Sequence, residues 1–471
     1  MSLRTKVLRG GVYLVLRQGL GIAISVVGIF LLTRTIGPEA YGLYAAALGI
    51  YTYLLVVCRW GVDVYLIRHR EEPQPQDYHQ AFSLLLLLGL VSTGAVILGL
   101  PFLERWVRLE GFGPVAVTLV VLLPVQLVQL VPLAQLERAL YYQKIALAEL
   151  SGQITIYAVA LPLAYQGLGP WAPVVGMWAR NVLVLGLLYL MSGYRPRLYW
   201  ETARVRAIAG YGLGFSASDW VWYLRDLVNP LVVGRYAGAE AVGYVALAIR
   251  LAEQLSNIVV LASGRLSIPV FARVQENRAR LVKAVAEGMS LQLMVVGPLL
   301  AGFSLVAPWI LPLLLGPQWL PTLEVYPFIA LSYLISGPVF GLQVFALYVL
   351  RRTWETAVFH LVHLVLFAGS ALLLVPHLGL RGYGWAEVAA LPGYILLIIW
   401  FQVYAGRLRY VQAGVWFIAW AIPLFSWQLS FWTWLSILVP LIWPATRREL
   451  LQAIRDLLQA IAPVLKREHR Q

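Results

Sequence analysis

Charge is scarce in this sequence. Asp, Glu, Lys and Arg make up only 12% of its 471 residues, hydrophobic residues make up 60%, and the mean hydropathy is +0.75. A soluble globular chain carries about 25% charged residues, so this one has too little polar surface to cover a large water-facing core. Cysteine is nearly absent as well. Cys58 stands alone, which excludes an internal disulfide and a thiolate-type metal or redox centre. No GxxxxGK[ST] phosphate loop occurs in the chain, so nothing in it reads as a P-loop ATPase. Its apolar runs do not alternate in ten-residue units, which argues against a membrane β-barrel.

What the chain does have is a series of long apolar runs, each able to cross about 30 Å of hydrocarbon. They predict an all-α polytopic membrane protein with about fourteen spans. In the first half these lie near 11–32, 40–58, 80–100, 112–134, 145–165, 171–192 and 211–233. In the second half they lie near 240–261, 288–312, 322–348, 356–375, 382–404, 411–426 and 428–445. The last two are short, and a re-entrant pair or one long buried segment is the alternative reading. The first run continues through Leu32 without a small-residue cleavage site, so it is expected to stay as a span rather than leave as a signal peptide.

The formal net charge of +14 is unevenly placed. With the N-terminus inside, most of the 36 basic residues fall on inner segments, from Arg4, Lys6 and Arg9 through Arg195, Arg197 and Arg278 to Arg447 and Arg470. The outer loops hold Arg34, Arg105, Arg108, Arg235 and Arg381. That is the positive-inside bias, and it places both termini in the cytoplasm. After Pro444, residues Leu450, Leu451, Ile454, Leu457, Leu458 and Ile461 recur at helical spacing. The tail therefore reads either as an amphipathic helix on the inner membrane surface or as a plain exposed segment.

One corner is written twice, as "TRTIGPEAYGLYAAAL" (33–48) and "GRYAGAEAVGYVALAI" (234–249). At an offset of 201 residues Arg34 falls on Arg235, Gly37 on Gly238, Glu39 on Glu240, Gly42 on Gly243 and Ala45 on Ala246. In each copy a glycine ends one helix, an acid opens the next, and a second glycine leaves room for a neighbouring helix. An even number of spans separates the copies, so they share an orientation. This predicts two parallel six-helix bundles around a central cavity, related about an axis normal to the membrane. The expected organisation is an N-terminal six-helix bundle (1–206), a C-terminal six-helix bundle (207–406), two additional transmembrane helices (407–445) and a cytoplasmic amphipathic tail (446–471).

Charges inside spans need a reason, because a buried ion costs several kcal/mol unless paired or hydrated. Span seven, "YGLGFSASDWVWYLRDLVNPLVV", carries Asp219, Arg225, Asp226 and Asn229, with Pro230 beside them. Span eight repeats Arg250, Glu253, Gln254 and Asn257 at three-four spacing, which forms one polar stripe. Arg17 lies in span one. Two readings stand: interhelical ion pairing, for example Arg250 with Asp226, or a hydrated cavity. In the second, Arg17, Arg225 and Arg250 take an anionic headgroup, Trp222 stacks on sugar, and Asp219, Asp226, Asn229, Glu253 and Asn257 serve coupling or cavity polarity. Arg59 and Asp63, four apart at the inner end of span two, are a candidate gate or a simple interfacial pair. His360 and His363 share a helix face but have no acidic or cysteine companion nearby, so no metal is expected.

The segment "GIFLLTRTIGPEAYGLYAAALGIYTYLLVVCRWGVD" (28–63) resembles the start of bacterial polysaccharide biosynthesis transporters, most specifically in "LLTRTIGPEAYGLY". These are the Wzx-like oligosaccharide-lipid flippases of the superfamily that also holds MATE-type multidrug extruders and the lipid II flippase. A looser likeness runs through "GRYAGAEAVGYVALAIRLAEQLSN" and "RLSIPVFARVQEN". The resemblance implies alternating access by two six-helix bundles with two C-terminal helices, in the bacterial cytoplasmic (inner) membrane. Its implied cargo is an undecaprenyl-pyrophosphate-linked glycan moved from the cytoplasmic to the outer leaflet. It further implies cationic cavity residues, a role that Arg17, Arg225 and Arg250 fit, although Asp226 next to Arg225 weakens the phosphate case there. Membrane lipids, a polysaccharide polymerase and glycosyltransferases are the implied partners. No cofactor is expected beyond coupling to Na⁺ or H⁺. The rival readings are an ion-coupled multidrug or small-solute exporter and a membrane glycosyltransferase or polymerase. Short outer loops speak against the last.

Overall fold

The computed structural model describes residues 3–68 and 73–455, with side chains at all of these except 3–18, 22, 68, 211, 213–215, 217–218, 257–266 and 268. The described chain is helical nearly throughout. It opens with α1 (Leu3–Arg59), α2 (Val62–Arg68) and α3 (Pro75–Val107), then α4 (Phe112–Val120), α5 (Leu123–Val128) and α6 (Leu130–Arg138). Next come α7 (Tyr142–Tyr165), α8 (Trp171–Ser192), α9 (Thr202–Leu224), α10 (Gly234–Val274), α11 (Arg278–Leu314), α12 (Thr322–Ile335) and α13 (Leu342–Val349). The series closes with α14 (Thr353–Leu378), α15 (Leu380–Ala389), α16 (Tyr394–Tyr404), α17 (Val411–Ala421) and α18 (Val439–Ile442).

Among the described residues, 10 helical stretches are long and apolar enough to cross a membrane. The protein is thus an all-α, multi-pass membrane fold. The two longest stretches are Gly19–Arg59 at 41 residues and Asp219–Ser256 at 38. At 1.5 Å per residue each would run about 60 Å, twice the hydrocarbon thickness. Each is broken once by a glycine in a conformation that other residues enter only under strain. Gly37 has φ 78° and ψ 173°, and Gly238 has φ 86° and ψ 178°. The last two predicted spans appear as shorter apolar helices, Val411–Phe425 and Phe431–Ile442, the second beginning with a 3-10 segment. Large apolar side chains such as Leu98 (85% exposed) and Leu190 (81% exposed) point away from the protein interior, as lipid contact requires.

The chain forms two compact units. The first comprises Met1–Leu247, Leu311–Thr322 and His360–Ala386. Its core has one cluster of mostly small residues that let helices approach closely, where Leu32 packs with Ala160, Ala164 and Ala172, and a second of larger ones that joins Leu136, Ile145 and Ala148 to Val184 and Leu188. Gly176 of α8 presses on the Ile156 carbonyl of α7, and Gly89 of α3 on the Pro124 backbone. The second unit comprises Ala248–Ile310, Leu323–Phe359 and Glu387–Gln471. Phe340, Leu347, Phe359, Tyr394 and Leu397 form its core cluster, with Phe340 and Tyr394 stacked at 4.4 Å. Its short apolar helices are tied in by polar bonds: Ser304 donates to the Leu424 carbonyl (2.6 Å) and Gln428 to the Leu323 carbonyl (2.9 Å). Residues 444–455 are helical, and Trp416 Nε1 donates to Glu449 Oε2 at 3.2 Å. Burial raises the Glu449 carboxyl above its usual range. Leu457, Leu458 and Ile461 of the predicted amphipathic tail lie outside the described residues.

In the first unit the extended segment before α9 is strapped onto the start of α3. Tyr199 N–H donates to Ser83 Oγ (2.8 Å) and Glu201 N–H to Gln80 Oε1 (2.6 Å). Arg204 closes the strap by pairing with Glu201 (2.6 Å) and with Asp77. Its guanidinium, helped by the Tyr199 hydroxyl, holds the Glu201 carboxyl below its ordinary range. A depressed folded-state pKa contributes stability above the unfolded value of about 4.3, and that contribution is lost as pH falls through the folded value. Protease cleavage near residue 200 is therefore expected to be slow from pH 8 down to about pH 4 and faster below it. Arg204→Ala should make it fast already at pH 7.

Candidate functional site

The repeated corner is met by its own copy. A Cβ on Gly42 would overlap the Ala239 carbonyl oxygen, and a Cβ on Gly243 would overlap the Pro38 carbonyl oxygen. Ala239 is the counterpart of Pro38, and Gly243 of Gly42, so the contact is reciprocal in the way of a local twofold. The two arginines of the corner behave alike. Arg34 donates to the Leu313 (2.9 Å) and Leu314 (3.2 Å) carbonyls at the end of α11. Arg235 donates to the Trp106 carbonyl (2.7 Å) at the end of α3 and lies 4.7 Å over the Trp106 ring. Each guanidinium satisfies carbonyls that a helix C-terminus leaves open and meets the negative end of its dipole. The sequence showed these arginines as a matched pair on the side where basic residues are rare, but gave no partner for either. Removing one is expected to cost about 1–2 kcal/mol, given the worth of charge-assisted bonds at partly exposed positions. Thermal unfolding of Arg34→Ala and Arg235→Ala checks this, and the two losses should be of similar size.

Beside the second corner the helix of span seven is broken. α9 stops at Leu224, a 3-10 turn covers Arg225–Leu227, and a π-turn covers Asn229–Val233 around Pro230. Proline removes one ladder donor and its ring forces the change of winding. Asn229, only 6% exposed, bridges the break by donating Nδ2 to the Val242 carbonyl at 3.3 Å. Gly49 of α1 admits the Pro230 ring and lies near the Asp226 carbonyl.

The break presents Arg225 between two rings, 5.6 Å from Trp222 and 5.1 Å from Phe367. Trp222 lies against His360 (4.9 Å between ring centroids) and His363 (6.2 Å). Spans seven and eleven therefore join Trp222, Arg225, His360, His363 and Phe367 in one cationic-aromatic cluster. Helical spacing had put the two histidines on one face; their stacking on Trp222 is a tertiary fact. Asp219 and Asp226 are exposed. In the second unit Arg250 is exposed and pairs with Glu253 at 3.3 Å. Arg17 and Asn257 lie outside the described side chains.

At the predicted inner end, Arg59 and Asp63 form an ion pair at 2.7 Å. Trp60 (φ 46°) and Gly61 (φ 64°) turn the chain between α1 and α2. Gly212 of α9 packs against that turn so closely that a Cβ would overlap the Trp60 carbonyl. Arg59 is near enough to Asp219 to act on it electrostatically. The structure thus gathers both gate candidates and one span-seven acid at a single helix crossing.

One residue that reads as unspecific in the sequence, beside Asn181, gains weight. Arg180 sits midway along α8, its stem against Gly152 of α7, and its Nε is buried without a hydrogen-bond partner. It acts electrostatically on Tyr51, whose hydroxyl is bonded to Gln126. Next to it Gln129 Nε2 donates to the Asn181 backbone carbonyl at 3.0 Å. An intramembrane cation is a functional candidate by default. No group of three or more metal-capable side chains occurs among the described residues.

Residues 31–324 match the sequence profile of the family described as polysaccharide biosynthesis protein. The chain is 24% identical over 324 residues to the succinoglycan biosynthesis transport protein ExoT of Rhizobium meliloti (strain 1021), a match covering 67% of this chain and 64% of that protein. The matched chain thus spans less than two thirds of ExoT. It is also 24% identical over 354 residues to the lipopolysaccharide biosynthesis protein WzxC of Escherichia coli (strain K12), covering 72% and 70%. A solved structure of the lipid II flippase MurJ in an inward closed conformation superposes with a TM-score of 0.70 at 13% identity, over 96% of this chain and 100% of that one. At such identity the likeness establishes the fold.

Proposed function

The chain belongs to the polysaccharide biosynthesis protein family, and from that premise we propose that it is a flippase for lipid-linked glycans in the bacterial inner membrane. The proposed cargo is an undecaprenyl-pyrophosphate-linked oligosaccharide, moved from the cytoplasmic to the outer leaflet without covalent chemistry. The observation that carries this reading is the cationic-aromatic cluster at the broken span seven. A guanidinium between rings suits a pyrophosphate next to a sugar, since arginine pairs with phosphate oxygens while aromatic faces cover the sugar's apolar side. Arg180, Arg250 and Arg17 are the further cations for the same task. Asp219, Asp226 and Glu253 are the proposed acids for coupling to Na⁺ or H⁺, and Arg59 with Asp63 the proposed inner gate.

With the two glycine-broken helices each counted as two crossings and each of the two short apolar helices as one, the 10 span-length helices become fourteen crossings. The proposed plan is then the two six-helix bundles of the sequence repeat, 1–206 and 207–406, the helices of 407–445, and both termini in the cytoplasm. The reciprocal corner contact supports the repeat. It joins equivalent residues of the two copies, which a chance likeness of sequence would not require.

The reading is tested by ligand-induced stabilisation. A ligand that binds only the folded protein raises its melting temperature in proportion to the logarithm of its concentration. Undecaprenyl-pyrophosphate oligosaccharide is expected to stabilise the purified chain, and the same glycan on phosphate-free undecaprenol to do so far less. Equal stabilisation by the two contradicts the arginine–pyrophosphate assignment. No response to either, with stabilisation by small amphiphilic cations instead, favours the multidrug exporter reading.

A further inference from the structure

A second cationic cavity lies away from the broken helix, in the first unit where α3 begins and α6 and α8 end. Its volume is about 480 Å³, and Tyr78, His79, Gln135, Tyr194, Arg195 and Arg197 are among its lining residues. Among the described residues its lining contains no acid. The nearby carboxylates Asp77 and Glu201 are both taken by Arg204, and among the described residues Arg195 and Arg197 have no carboxylate partner. The two arginines flank Pro196 in the non-helical stretch after α8, and both line the cavity. The wall beside them is fixed: Tyr194 is buried, its hydroxyl meets His79 Nδ1 at 3.0 Å and donates to the Tyr78 carbonyl at 3.2 Å.

Two guanidinium groups with the Gln135 amide match a phosphate ester. The surroundings point to a lipid as its source. Leu198 (79% exposed) and Trp200 (52% exposed) follow the arginine pair directly, and Leu190 (81% exposed) ends the helix beneath it. An arginine pair next to exposed leucine and tryptophan is the pattern of a membrane–water boundary. We infer that this cavity holds the phosphate of an anionic phospholipid from the cytoplasmic leaflet, with Arg195 and Arg197 on the phosphate and Leu198 and Trp200 against the chains. The inference does not depend on what the protein transports.

Native mass spectrometry of the full chain with dioctanoyl phosphatidylglycerol, dioctanoyl phosphatidylcholine or inorganic phosphate tests it. Phosphatidylglycerol is expected to remain bound and phosphatidylcholine to be lost. Arg195→Ala with Arg197→Ala should weaken phosphatidylglycerol retention about tenfold or more, as loss of two charge-assisted contacts implies, while the lysine pair keeps part of it. Equal retention of the two lipids, or unchanged phosphatidylglycerol binding in the double alanine variant, overturns the proposal. Displacement of the lipid by millimolar inorganic phosphate reassigns the cavity to soluble phosphate and overturns the lipid assignment. Unfolding curves of both variants distinguish loss of the site from loss of the fold.

Discussion

Gly42→Ala and Gly243→Ala are expected to be, with Gly212→Ala, among the most damaging single-methyl substitutions in the protein. At each position the added Cβ meets backbone rather than a side chain that can rotate away: the Ala239 carbonyl in one case, the Pro38 carbonyl in the other. Either the corners separate or the helices carrying them shift, and overpacking of this kind costs about 1–3 kcal/mol or more. Gly37→Ala and Gly238→Ala should cost a similar amount by another route, since they force alanine into a backbone region worth about 1–3 kcal/mol of strain. Gly94→Ala and Gly99→Ala, where a Cβ meets nothing within 4 Å, should leave stability unchanged or slightly improved. Melting temperatures of the six variants in one detergent check the ranking. Tolerance of alanine at both 42 and 243 would mean that the corner contact is not maintained in the membrane.

Arg225→Ala is expected to lower glycan-lipid translocation about 10- to 100-fold, the range set by losing a charge-assisted phosphate contact of about 1.5–3 kcal/mol. Arg225→Lys should retain part of the activity, because lysine keeps the charge but not the planar fork that fits between two rings. Trp222→Ala removes one face of that cage and should lower transport several-fold, about 1 kcal/mol in cation–π terms. All three variants should unfold near the wild-type temperature. A parallel collapse of transport and stability in Arg225→Ala would instead assign this residue to helix packing.

The sequence made the spans legible because each is a long apolar run, and it made the two helix-breaking glycines legible because the corner is written twice. The span-seven break was readable from Pro230. The partners were not. Arg34 and Arg235 could be matched to each other, yet the helix ends they cap lie far away in sequence, at α11 and α3. His360 and His363 gave the right face of a helix, but spacing along one helix carries no information about the indole stacked on it. Asn229 reads as a cavity group from its neighbours, and nothing in its spacing names the Val242 carbonyl that its amide meets. Arg180 reads as unspecific beside Asn181, because a buried Nε without a hydrogen-bond partner shows only once the helices around it are placed.

The central claim is tested most directly by leaflet exchange of a fluorescent undecaprenyl-pyrophosphate oligosaccharide in proteoliposomes, followed with a membrane-impermeant quencher. The wild-type chain is predicted to expose the inner-leaflet pool to the quencher, and the Arg17→Ala, Arg225→Ala, Arg250→Ala triple variant to leave it protected as in empty vesicles. Exchange no faster than in empty vesicles, or equally fast in the triple variant, would contradict the account.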